Sequence, residues 1–335
     1  MAMVLAGAPP LAAQLGPAPI VYSAYRYGGR NAGSTIFTIV PGEERARLTG
    51  SRSFNLEPVW SFDGTRIAYV HHARPRNPDI WVMDADGTDK VRLTSGPRDD
   101  DSPQWSHNAA QIVWLKTRPD SPFGRIYVMD ADGSDKRLLT GEEENAAYPR
   151  WSPDGTKIAF LTRSSCNGCA NDTELMVMDT DGTDVVALTD NDVDEVTPAW
   201  SPDSERIAFS REREDGGDLF TIAVDGSDEQ RITSVDGYAF LPGWSPEGSL
   251  LAFTLLVDPE NFHTRLATVD PATHHVDVLT DVETGGIMPA WARDGVRIAF
   301  LGFHSGGYNI GVARRGGSSV TQVTDSRVDE AWLDW

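Results

Sequence analysis

The chain has 335 residues, and its 50 acidic and 29 basic residues give a net charge of −21 at pH 7. This balance argues against nucleic acid as a partner, because phosphate binding needs a basic surface. No run of 18 apolar residues is present that could span a membrane. The first feature in chain order, residues 1–19, is apolar and rich in small residues, and we interpret it as an N-terminal tail or signal remnant.

From residue 20 onward the chain repeats one phrase. It reads WSFDGTRIAY at 60–69 and WSPDGTKIAF at 151–160, and each copy leads into a second phrase such as IYVMDADGSDKRLLT at 126–140. The tryptophans of the repeat lie 44 to 49 residues apart, at Trp60, Trp105, Trp151, Trp200, Trp244, Trp291 and Trp335. Spacing of this kind indicates one structural unit per period.

Each period predicts four short strands, because β-branched and aromatic segments alternate with Gly, Asp and Pro. Asp–Gly pairs mark tight turns, since Gly accepts a positive φ without steric cost. A Pro stands two residues before Trp in six copies, which suits an edge strand because Pro cannot donate to a ladder. The predicted fold class is therefore all-β, a seven-bladed β-propeller with four strands per blade.

The two ends of the chain complete one repeat between them. IVYSAY at 20–25 and IFTIVPGEERARLT at 36–49 match the second to fourth strands, and DEAWLDW at 329–335 supplies the first strand. We expect a single propeller domain over residues 20–335, whose ring is closed by pairing of the C-terminal strand with the N-terminal strands. This closure would remove the free sheet edges.

The phrase WSPDG followed by IAF, YVMDADG and LT resembles the WD-like propeller repeats of the TolB family. The resemblance covers the chain from about Ile20 and concerns the propeller part alone, because the N-terminal domain of TolB has no counterpart in it. It implies a non-catalytic scaffold in the periplasm or secreted, which binds a protein or peptide.

Long loops on one face of the ring are the expected place for function. Carboxylates five or six residues before each Trp are expected nearest to the central channel, where they would form an acidic funnel. The predicted partner-binding residues are Asp99, Asp100, Asp194, Glu195, Tyr238, Asp329 and Glu330. The partner would be a protein or peptide with a basic segment, bound by a monomer. The alternative is a solvated loop surface in a protein that is acidic throughout.

Cys166 and Cys169 occur in the loop sequence CNGC, where we expect a disulfide that would fit an oxidising compartment. Two thiols cannot fill a four-ligand zinc site. No catalytic motif, metal site or cofactor is predicted. The alternative function is a propeller enzyme, a metal-dependent lyase or hydrolase acting on an oligosaccharide. The histidines of the loop face come from only three repeats and are not expected to converge.

Overall fold

The computed structural model describes residues 18–27, 32–73, 77–118, 121–141, 145–163, 172–213, 216–304, 306–317 and 319–335. Within these ranges the chain forms β-strands joined by turns. No helix in the described ranges is long and apolar enough to cross a membrane. Cys166 and Cys169, together with their expected disulfide, lie outside the described residues.

The strands follow the predicted period of four. The first strand of each repeat is called the inner strand below. The inner strands are β4 (Phe54–Trp60), β8 (Asp99–Trp105), β12 (Ala146–Trp151), β16 (Glu195–Trp200), β20 (Tyr238–Trp244), β24 (Ile287–Trp291) and β28 (Glu330–Asp334). The second strands are β1 (Ile20–Arg26), β5 (Arg66–His72), β9 (Gln111–Thr117), β13 (Lys157–Arg163), β17 (Arg206–Arg213), β21 (Leu251–Asp258) and β25 (Arg297–His304).

The outer half of each repeat contains one long and one short strand. The third strands are β2 (Gly33–Ile39), β6 (Asp79–Asp84), β10 (Gly124–Asp130), β14 (Thr173–Asp179), β18 (Gly216–Ala223), β22 (His263–Val269) and β26 (Gly307–Arg314). The fourth strands are β3 (Ala46–Arg47), β7 (Val91–Arg92), β11 (Arg137–Leu138), β15 (Val186–Ala187), β19 (Gln230–Arg231), β23 (Val276–Val278) and β27 (Val320–Gln322).

Neighbouring strands of a repeat pair antiparallel in the order inner, second, third, fourth. The N-terminal unit takes its inner strand from the other end of the chain, because β28 pairs with β1 through Asp334 opposite Val21 and Glu330 opposite Ala24. Counting from this unit, β4–β7 form the second unit and β24–β27 the seventh. The sheets of the third and fourth units are connected by one pair of strand residues, Gly124 and Ala146. The sheets of the fifth and sixth units are connected by Gly217 and Tyr238.

Apolar clusters between neighbouring units form the core. In the fourth unit Ile158 and Phe160 pack toward the third unit, whereas Ala159 packs toward the fifth. Alternate residues of a strand point to opposite faces, so a strand buried on both faces has to be apolar throughout. This explains the repeated IAF phrase. One cluster joins Tyr22 to Ile310, so the seventh unit packs against the N-terminal unit.

Two repeated side chains tie strands together. Trp200 donates its Nε1 hydrogen to the Arg150 carbonyl at 3.0 Å, across the junction of the fourth and fifth units. The threonine that ends each repeat accepts a hydrogen bond from a third-strand backbone N–H at 2.8–3.1 Å. These threonines are Thr49, Thr94, Thr140, Thr189, Thr233, Thr280 and Thr324. Because each Thr–N–H pair binds the short fourth strand to the third, the Leu-Thr ending has a structural explanation.

Candidate functional site: the inner surface

Six of the seven inner strands expose the residues four, three and one before their Trp position, and in the fourth unit Ala147, four before Trp151, is buried. In the third unit these are Asp101, Ser102 and Gln104, which are half-buried, whereas Asp100 and Pro103 are buried. The inner strands contact one another in succession from β4 to β24, and β28 contacts both β24 and β4. The exposed positions therefore form one continuous surface, which we call the inner surface.

A bulge in every inner strand shapes this surface. The residue three before Trp has a φ of 45–56° in all seven units, and none of the seven is glycine. These residues are Glu57, Ser102, Tyr148, Thr197, Leu241, Met288 and Trp332. Two residues of the inner strand oppose one of the second strand at this point, for example between Asp101 and Gln104. A left-handed conformation costs a residue with a Cβ about 1–2 kcal/mol, and such strain concentrates at functional sites.

The inner surface is chemically two-sided. Polar and charged residues are concentrated on the second to fourth units, where they include Glu57, Asp101, Ser102, Gln104, Tyr148 and Arg150. Apolar residues are concentrated on the fifth to seventh and N-terminal units, where they include Val196, Phe240, Leu241, Ile287, Met288 and Trp332. All of these side chains are at least partly exposed. A surface divided in this way can recognise an amphipathic ligand.

Glu57 and Asp101 form the acidic part of the inner surface. Glu57 accepts the backbone N–H of Ser102 at 2.9 Å, which holds this carboxylate of the second unit against the third. Burial, followed by the charge of Glu57, raises the pKa of Asp101 to about 8. Burial also raises the pKa of Glu57, while the Ser102 hydrogen bond and the Arg150 charge oppose that rise. Near neutral pH Asp101 holds a proton that a bound cation would displace.

Three aromatic residues connect the inner surface to the outside. Trp332 lies 5.6 Å from Tyr25, and Tyr25 is stacked on Tyr27 at 5.9 Å between ring centroids. Tyr27 is 70% exposed. Burial raises the pKa of Tyr25, with smaller contributions from Tyr27 and Glu57. This aromatic strip therefore runs from solvent to the neighbourhood of the acidic pair.

The predicted residues five before Trp lie inside the fold rather than on a binding surface. Asp100 and Glu195 are 0% exposed and Glu330 is 1% exposed. As placed, these three carboxylates offer no surface to a partner. The exposed positions of the inner strands are instead four, three and one residues before Trp, and a role of Asp100, Glu195 and Glu330 in partner binding stays a prediction.

The buried carboxylates serve the packing of their units. In the third unit Asp100 binds the Lys116 ammonium at 2.8 Å and accepts the Trp114 Nε1 hydrogen at 2.8 Å. Lys116 in turn lies 5.8 Å from the centre of the Tyr127 ring. We call this arrangement of inner-strand acid, base and third-strand ring the acid–base–aromatic cluster.

Three other units carry a version of this cluster. The fifth unit has Glu195, Arg211 and Phe220, the N-terminal unit has Glu330, Arg45 and Phe37, and the second unit has an uncharged version with Asn55, His71 and Trp81. Each buried acid or amide thus has a polar partner, as buried polar groups require.

The remaining predicted residues stand at the beginning of inner strands and are half-buried. The Asp194 carboxylate accepts the backbone N–H of Thr173 at 2.8 Å, and the Asp329 carboxylate accepts that of Tyr308 at 2.9 Å. Asp99 accepts a hydrogen bond from the Asn77 side chain, and Tyr238 pairs with Gly217. A role in partner binding stays a prediction for these four residues.

Within the described ranges, no group of three or more His, Cys, Asp or Glu residues could hold a metal ion. The sequence analysis did not name Glu57, Asp101 or Arg150 as site residues. Counting back three and four residues from each Trp would have found Glu57 and Asp101.

The repeats and their geometry agree with comparisons to known proteins. The family model described as the TolB beta propeller domain matches residues 20–173 and 156–331. The chain belongs to the TolB β-propeller domain family. Within it, the Tol-Pal system protein TolB of Thioalkalivibrio sulfidiphilus is 37% identical over 73 residues. That alignment spans 22% of this chain and 17% of the relative, well under two thirds of the relative's length.

Solved structures show the same fold at low identity. TolB from Acinetobacter baumannii has a TM-score of 0.59 at 16% identity, covering 95% of this TolB-family chain and 82% of the other. An oligogalacturonate lyase in complex with manganese has a TM-score of 0.71 at 13% identity, covering 89% and 86%. The TM-scores indicate a shared propeller fold. Sequence identities this low carry no information about activity.

Proposed function

We propose that the seven units form a closed, seven-bladed ring. Three observations support it: apolar clusters lie at every junction, including that of the seventh and N-terminal units; β28 contacts the inner strands on both sides; and the Asp334 carboxylate accepts the Trp60 backbone N–H at 2.8 Å. The inner surface would then line a central channel that aligns with the ring axis.

We further propose that the protein is a non-catalytic scaffold that binds an extended peptide, or a peptide segment of a protein, on the inner surface. The observation that supports this function is the division of a partly exposed surface into an acidic side with Glu57 and Asp101 and an apolar side with Phe240, Leu241 and Met288. An extended peptide presents alternate side chains in opposite directions, so one segment can address both sides.

In this proposal a basic residue of the peptide meets Glu57 and Asp101. Its charge favours the ionised form of Asp101, so binding releases the proton that Asp101 holds near neutral pH. Apolar residues of the peptide pack against Phe240 and Met288, and the aromatic strip receives the segment outside the channel. Asp99, Asp194, Tyr238 and Asp329 would contact flanking parts of the partner at the strand beginnings.

The proposed cellular location rests on the family to which the chain belongs. A relative carries the name Tol-Pal system protein TolB. We propose an extracytoplasmic location, periplasmic or secreted, and a monomer as the binding form. No cofactor enters this proposal.

The test is titration calorimetry with an acetylated, amidated heptapeptide that has a central Arg flanked by Leu and Phe. We expect binding to weaken about tenfold or more when Arg is replaced by Gln, and by a similar factor in a Glu57→Gln, Asp101→Asn double variant. Asp277→Asn, an exposed carboxylate on β23, is the matched control and should bind as the wild type does. Equal binding of the Arg and Gln peptides would contradict the acidic subsite.

The enzyme alternative is tested on the same preparation. Its support is the structural likeness to an oligogalacturonate lyase. Wild-type protein with added Mn²⁺ is incubated with oligogalacturonate, and formation of unsaturated product is followed by ultraviolet absorbance. Turnover that is lost on chelation would overturn the non-catalytic proposal, whereas unchanged substrate together with peptide binding would support it.

A further inference from the structure

A cavity of about 270 Å³ lies between the fifth and sixth units, away from the inner surface. Residues 231–234, which are the end of β19 and the segment that follows it, form one wall. His274, His275 and Val276, from the turn between β22 and β23 and the start of β23, form the other. The volume is close to the lower end of the range of small-molecule sites, so the cavity suits a small ligand.

The turn that forms the sixth-unit wall differs from its counterparts in the second to fifth units. Those four turns have the sequence Asp-Gly-Thr-Asp or Asp-Gly-Ser-Asp, at 86–89, 132–135, 181–184 and 225–228. Counted back from the threonine that ends the repeat, the same four positions in the sixth unit are Ala272, Thr273, His274 and His275. Both aspartates and the glycine are therefore replaced, and the second aspartate becomes a histidine.

The loss of the glycine explains why space remains at this junction. In the fourth unit a Cβ at Gly182 would lie 2.7 Å from the Leu139 carbonyl oxygen of the third unit, which is closer than real Cβ atoms come. Only glycine allows a turn to pack so tightly on the preceding unit. Thr273 has a Cβ, so the sixth turn cannot approach Ile232, the counterpart of Leu139, in the same way.

The sixth turn is also wider, and it is held in place. It closes with a hydrogen bond from the His274 N–H to the Asp270 carbonyl at 2.8 Å, a span one residue longer than in the other four turns. The Asp270 carboxylate accepts the backbone N–H of Ala272 at 2.8 Å and that of Thr273 at 3.2 Å. The wall is therefore pre-formed, which lowers the ordering cost of binding.

The fifth-unit wall carries positive charge. Arg231, whose side chain is 45% exposed, lies 2.6 Å from the buried Asp218 carboxylate. Arg213 lies 3.3 Å from the same carboxylate oxygen. Two guanidinium groups share one carboxylate, so these three side chains together have a net positive charge.

Both walls also offer hydrogen-bond donors. Ser234 accepts a hydrogen bond from Arg231 at 3.3 Å, and its hydroxyl can donate in turn. The imidazoles of His274 and His275 are exposed and can donate N–H bonds, and Asp277, 3.2 Å from His275, orients the second ring. Among the described residues, those that line the cavity are apolar, hydroxylic or basic. This lining suits an anion, in a chain whose net charge is −21.

We propose that this cavity binds a small tetrahedral oxyanion, namely phosphate or a phosphate monoester group, independently of peptide binding on the inner surface. Arg231 and Ser234 donate hydrogen bonds to the anion from one wall, and His274 and His275 donate from the other. Hydrogen bonds from guanidinium groups to phosphate are among the strong ones in proteins. In four other units an aspartate stands at the position of His275 and places a negative charge there.

The test follows the backbone amide signals of ¹⁵N-labelled protein during titration with inorganic phosphate at constant ionic strength. We expect saturable shifts at Ser234 and His275. His275→Asp, which introduces the acid of the other four turns, should weaken binding by about tenfold or more. Absence of saturable shifts with phosphate would overturn the proposal, and so would the same shifts on addition of sodium chloride alone.

A second variant removes the guanidinium without disturbing the strand. Arg231 donates its Nε hydrogen to the Thr233 carbonyl at 2.9 Å, and at the same position of the seventh unit Gln322 donates to the Thr324 carbonyl at 2.8 Å. Glutamine is therefore compatible with this position. Arg231→Gln should keep the melting temperature close to that of the wild type and weaken phosphate binding by about tenfold or more.

Arg92→Gln is the matched control. It makes the same change in the second unit, where Arg92 donates to the Thr94 carbonyl and the neighbouring turn carries Asp132 and Asp135. Phosphate binding should equal that of the wild type, and equal affinities of the Arg92 and Arg231 variants would contradict the site.

A second probe distinguishes the sources of the anion. Tighter binding of N-acetyl-O-phosphoserine amide than of inorganic phosphate would support a phosphorylated residue as the ligand, and the reverse order would support the free ion. Glu57→Gln should leave phosphate binding unchanged, so failure of this proposal is distinguishable from failure of the peptide proposal.

Discussion

At the scale of single residues, the same residue type serves opposite purposes according to its distance from Trp. Asp100 is buried and neutralised by Lys116, whereas the next residue, Asp101, faces the inner surface with a raised pKa. The sequence DDD at 99–101 contains no signal that separates them, because the separation depends on strand register and on a bulge two residues later. The acidic residues were therefore visible in the sequence. Which of them is buried in an ion pair and which is exposed on the inner surface was not predictable from it.

The raised pKa of Asp101 predicts a pH-dependent stability. Since its pKa is near 8 in the folded protein and near 3.8 without burial, protonation stabilises the folded state, and this contribution is lost as pH rises from about 4 through 8. Asp101→Asn should raise the melting temperature at pH 9 relative to wild type and change it little at pH 5, as measured by circular dichroism. Parallel pH profiles of the two proteins would contradict this assignment.

The ion pair of Asp100 and Lys116 predicts that substitution of Lys116 destabilises the protein strongly. A second substitution, at Asp100, should restore part of that stability. Lys116→Met leaves a buried carboxylate without its partner and should lower the free energy of unfolding by about 3–5 kcal/mol. Adding Asp100→Asn removes the uncompensated charge and should recover a large part of that loss. Urea denaturation of both variants measures it, and equal destabilisation of the single and double variants would argue against a charge effect.

At the scale of elements, the repeat made the strands predictable because the same apolar pattern recurs at every period. The order of four strands and the core positions of the IAF phrase follow from alternation alone. The inner-strand bulge is not visible in that pattern, since the positive φ falls on seven different residue types, from Glu57 to Trp332. For this reason the exposed positions of the inner strand could not be predicted from alternation alone.

The threonine that ends each repeat predicts a measurable side-chain effect. Thr94 accepts the Ile80 N–H at 2.8 Å, so Thr94→Val leaves this buried donor without an acceptor. The free energy of unfolding should fall by about 1–3 kcal/mol. Thr94→Ser keeps the hydroxyl and should lose less than the valine variant. A valine variant as stable as the serine variant would show that the hydrogen bond contributes little.

At the scale of the whole molecule, stability depends on a unit assembled from both ends of the chain. β28 supplies the inner strand of the N-terminal unit, and Trp335 donates its Nε1 hydrogen to the Ala18 carbonyl at 2.6 Å. The assembly of this unit from both ends of the chain was predictable, because residues 20–49 lack only the repeat segment that residues 329–335 contain. Its contact with the seventh unit involves distant residues, such as Tyr22 and Ile310, that sequence alone does not pair.

Removal of residues 329–335 should therefore destabilise the protein far more than loss of a surface segment. The deletion uncovers the edge of β1 and the apolar cluster around Tyr22, and we expect the melting temperature to fall by about 10 °C or more. Asp334→Ala, which removes the acceptor for the Trp60 and Trp335 N–H groups, should cost about 1–3 kcal/mol, and Asp334→Asn less. Calorimetry of the three variants orders these effects, and a deletion no worse than Asp334→Ala would contradict the structural role of β28.

Along the bulged inner strand, some positions carry the same residue in nearly every repeat and others differ from repeat to repeat. Trp ends the phrase in all seven repeats and Pro precedes it in six, whereas the exposed residue three before Trp is different in every one. Substitutions at those exposed positions alter the chemistry of the inner surface and leave the Trp, the Pro and the buried core residues of the units unchanged. Binding specificity can therefore change, in evolution or in the laboratory, by substitution at the exposed positions, with little effect on the folding of the units.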